Sequence, residues 1–440
     1  MRYLFVHHNS PGQYKHLAQR LAAVPGNEVV FLTQKNNRSV PGVRKVEYAP
    51  AGAPAGAVHP YLTAVEPAMH NAEAVFMAAR DLGAQGFRPD IMVGHNAWGE
   101  ILCLKDVWPD VPLLGLFEFF YSPQGADADF DPEISKIRPE RVPRLRMQNT
   151  VNLLGLDAAD WGHCATHWQR RQYPAIHRDR ISVIHEGVDT ALVRPNPAIS
   201  VTLAGQQRPL TRKDKVVTYV SRSLEPYRGF HVFMRALPEI QRRHPDAHVL
   251  VVGGDDVSYG GALSDGRTFR EALLQEQRGR IDLDRVTFLG RVSYEQYLAV
   301  LQVSSVHVYL TYPFVLSWSL IEALSAGCLV VGSATPPVQE VIHDGVNGLL
   351  VDFFDTKGIA DRVTEVLEHP DRMQAVRDAA RQAAVTGYDL RSVALPRFSA
   401  LLDDLLCRRR PRTYVNPAVD GLPALDRSHL RPPSVTLEPR

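Results

Sequence analysis

An excess of charge of either sign is what this chain most plainly lacks: in 440 residues, 49 Lys and Arg stand against 48 Asp and Glu. Nothing general therefore draws it to nucleic acid or to an anionic membrane, and any anion site must be built locally. Cysteine is also scarce. Cys103, Cys164, Cys328 and Cys407 are scattered without paired or metal-type spacing, which argues against a disulfide framework or a structural metal and for a reducing compartment. There is no signal-peptide pattern, no apolar run long enough to span a bilayer and no internal repeat. The expectation is a cytoplasmic protein with at most peripheral contact at the inner face of a membrane.

What the chain does have is strand-like apolar runs alternating with amphipathic stretches, the pattern of parallel α/β units. "RYLFV", "EVVFLT", "DIMVG" and "PLLGLF" supply strands to a first domain expected over residues 1–189. Residues 190–213, rich in Pro, Gly and polar side chains, read as an interdomain linker. "KVVTYVS", "AHVLVVGG", "RVTFLG", "VSSVHVYL" and "CLVVGS" then build a second domain over 214–387. A helix at 388–406 is expected to pack back on the first domain, and the Pro- and Arg-rich segment 407–440 reads as a loosely held tail. The predicted fold is α/β, with two facing doubly wound, Rossmann-like domains.

Open parallel sheets bind ligands at the carboxyl ends of their strands. Four such ends carry unusual groups. "VHHNSPGQYKH" places Gly12 between a strand and a helix, where backbone can approach an anion. "YVSRSLEPYRGF" brings Arg222 and Arg228 to one strand end and a helix start, a pair suited to a diphosphate, although most arginines are solvated surface groups. "YPFVLSWSLIEALSAG" offers the amides around Val315, Leu316 and Ser317 at a helix start, then Glu322 inside it, a carboxylate in apolar surroundings that needs an ion pair, water or a ligand. "PLLGLFEFFYSPQGADADFDPE" places Glu118 in an aromatic frame expected to desolvate it and raise its pKa, with Asp127, Asp129 and Asp131 following. His95 and His163 also sit at strand ends, where a lone histidine is more often a structural donor than a catalyst.

The order Arg222, Arg228-Gly229, "VVGGDD", "VTFLGRVSYEQY" and "IEALSAGCLVVGSATPPVQEVIHDGVNGLLVD" resembles the donor domain of family 4 retaining glycosyltransferases, which have the GT-B fold. "ISVIHEGVDTALVRP" resembles that family's interdomain strand, and the first half is similar in architecture alone. The resemblance implies transfer of a sugar from a UDP- or GDP-linked donor to the hydroxyl of a carbohydrate or glycolipid acceptor, with retention, in bacterial-type polysaccharide or glycoconjugate synthesis. It implies that Arg222 and Arg228 grip the diphosphate, that Glu322 binds the ribose, that Arg291 and Val292 face the base, and that Gly12 and Gly253 belong to the donor site. No metal and no cofactor beyond the sugar nucleotide are implied, since the arginines and the helix start carry the leaving-group charge.

One departure is informative. The family's first glutamate, eight positions before Glu322 and contacting the transferred sugar, is replaced by Phe314, and the glycines that follow it are replaced by Val315 and Ser317. Either the sugar-side ligand is lost or another acid, for which Glu118 is the candidate, has taken it over. A sugar-nucleotide epimerase on the same fold and a noncatalytic nucleotide-sugar or carbohydrate binding protein remain alternatives.

Overall fold

The computed structural model describes residues 1–413 apart from 37, 51, 53–57, 135–137 and 206–207. Short Val-, Ile- and Leu-rich runs make a seven-stranded parallel sheet from β1 (Arg2–Val6), β2 (Glu28–Thr33), β3 (Val43–Glu47), β4 (Ile91–His95), β5 (Leu113–Leu116), β6 (Trp161–Cys164) and β7 (Ile181–Val183), in the order 3-2-1-4-5-6-7. Their central members are buried on both faces, as expected of strands sandwiched between helices. After an antiparallel ribbon of β8 (Ser200–Val201) and β9 (Leu210–Thr211), a second parallel sheet comprises β10 (Val216–Ser223), β11 (His248–Gly254), β12 (Val286–Gly290), β13 (Val306–Tyr309), β14 (Val330–Ser333) and β15 (Leu349–Val351), in the order 12-11-10-13-14-15. In both sheets the order reverses beside the first strand, which creates a crevice at the carboxyl ends. The predicted pair of doubly wound α/β domains is what the chain forms.

Segment 190–213 contains the β8–β9 ribbon, and its start is pinned by Arg381, whose guanidinium donates to the carbonyls of Thr190 (2.7 Å) and Val193 (2.8 Å). Segment 388–406 is a π turn over Leu390–Ala394 followed by a helix over Leu395–Leu406. The Asp389 carboxylate accepts from the Arg391 and Ser392 amides and so starts that turn. Phe398, Leu401, Leu402 and Leu405 then bury against Phe5, Leu17 and Leu21 of the first domain. Most of the expected tail, residues 414–440, lies outside the described residues; just before it, Arg408 donates to the Asp110 carbonyl at 3.1 Å and the Arg412 carbonyl accepts from Ser182 at 3.0 Å.

The acidic loop after β5 does not face the crevice as a free wall but straps one domain to the other. Asp127 accepts from the Tyr227 hydroxyl (2.6 Å), Asp131 from Tyr312 (2.5 Å) with His231 at 3.1 Å, and Glu133 forms a two-pronged pair with Arg235. Phe130 packs on Tyr312, Phe353 and Phe354 of the second domain. An aromatic anchor of this kind contributes roughly 2 kcal/mol through burial. The hydrogen bonds satisfy carboxylates that would otherwise be costly to enclose.

Candidate active site

On the first-domain wall, β1 runs into a tight turn at Gly12, whose φ of +49° and whose hypothetical Cβ, 2.5 Å from His7 Nε2, leave room for no other residue. The His7 ring under that turn accepts from the Asn9 amide at Nδ1 (2.9 Å), so Nε2 carries the proton and donates to Gln13 Oε1 at 2.9 Å. Gln13 in turn donates to Glu118 Oε1 at 3.2 Å. From the other side, His95 Nδ1 accepts from the Ala97 amide (3.0 Å), which leaves its Nε2–H facing Glu118 Oε2 at 3.3 Å. Glu118, two residues past β5, is thus held at both oxygens by arms that start at the ends of β1 and β4.

That corrects one expectation. Burial does push the Glu118 carboxyl up, but the His95 ring, the Gln13 amide and the Arg228 guanidinium together outweigh it and hold the group below the ordinary glutamate value. The sequence shows the aromatic frame but not these partners, which come from other strand ends. Glu118 is an ionised acceptor rather than a proton donor.

The second-domain wall is cationic. Gly229, with φ +70° and its absent Cβ 2.4 Å from the Leu310 Cβ, lets the chain turn from β10 into the helix Phe230–Arg243 and brings Arg228 inside. Arg228 is 7% exposed; its Nη1 donates to Thr311 Oγ1 (2.7 Å) and the Val315 carbonyl (2.9 Å), and its guanidinium lies over the rings of Tyr259 and Phe314. Arg222, by contrast, is exposed and makes no hydrogen bond or ion pair among the described residues. Opposite them Ser317 caps the helix Trp318–Ser325 through the Ser319 amide.

These walls enclose a cleft of about 830 Å³ that Gly12, Glu118, Arg222, Arg228, Phe314 and Val315 help to line. Arg222, Ser317 and Trp318 also line a second cavity of about 450 Å³, so the two join there. The second cavity is bounded by Gly253, Arg291, Val292, Tyr294, Tyr297 and Glu322. Ser293 opens the helix Tyr294–Val303 with a capping box to Gln296, which places Tyr294 and Tyr297 one turn apart on one face. Both tyrosine hydroxyls donate to Glu322, at 2.7 Å each. Burial raises the Glu322 carboxyl, tempered by those two bonds. Each of its oxygens keeps a lone pair for a ligand hydroxyl. The Arg291 guanidinium is drawn away to Asp256 at 2.6 Å, leaving its backbone at the cavity rim. Glu322→Ala is expected to weaken nucleoside diphosphate binding about thirtyfold, the scale of one charged hydrogen bond, with the melting temperature of the free protein little changed. Calorimetry on the two proteins checks it.

The crevice therefore brings together Gly12, Glu118, Arg222, Arg228, Phe314, Val315, Leu316 and Ser317, with Gly253, Arg291, Val292 and Glu322 in the adjoining cavity. His95 stands fully buried behind Glu118 as its orienting partner. His163 is a correction: its side chain turns into the core against Phe398 and Tyr14, where burial holds it down at about 3, so it is neutral and away from the cleft. Phe314 packs on Phe119 (4.7 Å between ring centres), Tyr259 and Tyr227 as an aromatic floor. Sequence reading passed over His7, Gln13, Glu186 and Trp318. The first two lie in the quoted loop "VHHNSPGQYKH", and Glu186 follows a strand in "ISVIHEGVD", so position relative to a strand end was the available signal.

Comparison with known proteins accords with this geometry. The family described as "Glycosyl transferase family 4 group" matches residues 25–193, and "Glycosyl transferases group 1" matches residues 204–383. The chain belongs to the family 4 glycosyltransferases and has the GT-B fold. Among curated relatives, D-inositol 3-phosphate glycosyltransferase of Mycolicibacterium smegmatis is 30% identical over 216 residues, 48% of this chain and 46% of that one. Phosphatidyl-myo-inositol mannosyltransferase of the same organism is 29% identical over 50% of this chain and 51% of its own. The chain spans about half the length of the curated relatives it matches. Among solved structures, sucrose-phosphate synthase from Thermosynechococcus elongatus superposes with a TM-score of 0.68 at 18% identity, covering 93% of this chain and 100% of that one. Anabaena HepE, solved with UDP and glucose, gives a TM-score of 0.65 at 17% identity, covering 92% and 100%. At those identities the likeness is one of fold.

Proposed function

We propose that this protein transfers a sugar, with retention of configuration, from a nucleoside diphosphate donor to an acceptor hydroxyl, as a cytoplasmic step in making a polysaccharide or glycoconjugate. The observation that carries the reading is the junction of the two cavities: Arg222, unpaired among the described residues, a buried Arg228 and a helix start converge where a nucleoside held at Glu322 would place its diphosphate. The sugar then lies over Phe314 toward Glu118. As the bond from the anomeric carbon to the phosphate oxygen breaks, its electron pair goes onto the diphosphate, where the arginines and the positive end of the helix dipole stabilise it. The acceptor oxygen bonds to the anomeric carbon, and its proton passes to a phosphate oxygen. The Glu118 carboxylate accepts from a sugar hydroxyl and opposes the positive charge at the anomeric centre.

The relatives' names put polyol phosphates and lipid-linked polyols among the first acceptors to try. The Anabaena HepE complex makes UDP the first nucleoside diphosphate to try; GDP is its alternative. A thermal-shift screen of nucleoside diphosphates and their sugars, followed by turnover of the binders against those acceptors, tests the proposal, since a ligand that binds the native state alone raises its melting temperature. Stabilisation and a product that keeps the donor's anomeric configuration are expected. Binding without turnover across the acceptor panel would favour a noncatalytic binding protein, and conversion without acceptor an epimerase. Because charge stabilisation is assigned to side chains of this chain, turnover is expected to persist in EDTA. A requirement for added Mg²⁺ or Mn²⁺ would count against that assignment.

A further inference from the structure

Two carboxyls outside the predicted set are buried in the molecule near the domain boundary, and they differ in one respect. Glu340 is paired: Arg171 stands 3.1 Å from it and the His167 amide donates to it. Glu186 has no cation partner among the described residues. It follows β7, is 8% exposed, lines the 830 Å³ cleft, and accepts at Oε2 from the Trp318 indole N–H at 3.1 Å. Its second oxygen takes no side-chain partner among the described residues.

Around Glu186, burial and the Glu118 carboxylate disfavour a charge, and the neighbouring side chains supply no cation to offset them. Tyr14, from the turn after β1, and Cys164, at the end of β6, are buried and neutral at pH 7, each pushed up first by its own burial. His185 beside it is buried and neutral, lowered to about 4. Glu118, across the cleft, is a carboxylate. The cleft cations Lys15, Arg38, Arg222 and Arg228 form no ion pair with Glu186 among the described residues. A carboxyl so placed holds its proton to a higher pH than an exposed one, and a proton-bearing oxygen at an anion-binding cleft has a use.

We propose that Glu186 works as a neutral carboxylic acid, donating its O–H to a diphosphate oxygen of the donor while Trp318 holds its other oxygen. The proposal rests on the sugar-transfer reading. It adds a third kind of contact to the two arginines, one that carries no charge of its own and so binds the anion without opposing the Glu118 carboxylate. Trp318 is the first residue of the helix that receives the diphosphate and lines both cavities, so the same bond also fixes the wall between them. Burial, foremost, raises Glu186 to about 7, only partly offset by its own amide and Trp318. The O–H is therefore present below pH 7 and lost above it, and bound diphosphate extends its range upward.

The test is calorimetric binding of UDP- and GDP-hexoses between pH 6 and pH 8.5 to the wild type, Glu186→Gln and Glu186→Ala. Wild-type affinity is expected to fall by up to about tenfold per pH unit on the alkaline side. Glu186→Gln keeps an N–H donor and loses the titration, so it should be about threefold weaker at pH 6 but lack that slope, whereas Glu186→Ala should be about thirtyfold weaker. The ligand's own ionisation is common to all three proteins and cancels. Parallel pH curves for wild type and Glu186→Gln, or a Gln variant as weak as the Ala variant, would overturn the assignment. Infrared difference spectra between wild type and Glu186→Gln add a second arm: the Glu340 carboxyl, also pushed up to about 7 by burial, is common to both proteins and cancels, so the carbonyl stretch of a protonated carboxyl left in the difference at pH 6 is that of Glu186. An ionised Glu186 at pH 6 sinks the idea whether or not ligand binds. If the wild type binds no sugar nucleotide at any pH, the sugar-transfer reading fails, and the infrared arm alone decides the state of the carboxyl.

Discussion

Replacing Arg228 with alanine is expected to cut turnover about a thousandfold, with only a small change in the affinity of the nucleoside alone. The residue does two things at once. Its guanidinium faces the position where the leaving diphosphate gains charge, and removing one such preorganised donor typically lowers turnover by about two to three orders of magnitude. It also donates to Thr311 and to the Val315 carbonyl, and so shapes the loop that starts the helix Trp318–Ser325. Its loss leaves a buried acceptor unpaired, at about 1–3 kcal/mol, and empties space between Tyr259 and Phe314. Arg228→Lys separates the two effects. An ammonium keeps the charge but not the flat guanidinium that lies over two rings while its Nη1 donates to Thr311 and Val315. It should recover about a tenth of wild-type turnover and melt below the wild type. Steady-state kinetics and thermal unfolding on the three proteins give the answer; an Ala variant with turnover within tenfold of wild type would show that Arg228 only supports the loop.

Why some of this was legible in the sequence and some was not follows from where the information lies. The strands and their parallel arrangement show in local runs such as "KVVTYVS", because a strand buried on both faces must be apolar throughout. Arg222, Arg228 and Glu322 show because each sits at a fixed offset from a strand end or helix start, so a one-dimensional pattern already places it in space. The strap does not show. Asp127, Asp131 and Glu133 look like a solvated acidic loop, and their partners Tyr227, Tyr312, His231 and Arg235 lie about a hundred residues or more away. Glu118 is intermediate: its position was readable, whereas its ionisation depends on His95 and Gln13, brought in by other strands. His163 shows the limit of the strand-end rule. Alternation along β6 sends its side chain to the face covered by the Leu395–Leu406 helix.

Glu118→Gln is expected to lower turnover by about two orders of magnitude while nucleoside diphosphate affinity stays nearly unchanged, because the side chain stands on the sugar side of the cleft and Glu322 on the nucleoside side. With Phe314 at the floor, no acid is available there to hold a sugar hydroxyl, and the Glu118 carboxylate, fixed between Gln13 and His95, is the ionised group best placed to do so. The amide fits the space but not the donors. Gln13 presents an N–H to one oxygen and His95 an N–H to the other, so in either orientation the new NH₂ group meets a donor. That mismatch should cost about 1–2 kcal/mol of stability, small enough to leave the protein folded. The sign of the pH dependence follows from the same contacts. Since they hold Glu118 below 4.5, its charge is present throughout neutral pH, and activity dependent on it is lost only as pH falls through that depressed value. The acid limb that Glu118 contributes to the rate profile should therefore lie below pH 4.5 in the wild type and be absent in Glu118→Gln. Turnover near wild type in the variant would make Glu118 a structural anchor for the β1 and β4 loops and leave the sugar to the backbone amides around Val315 and Leu316.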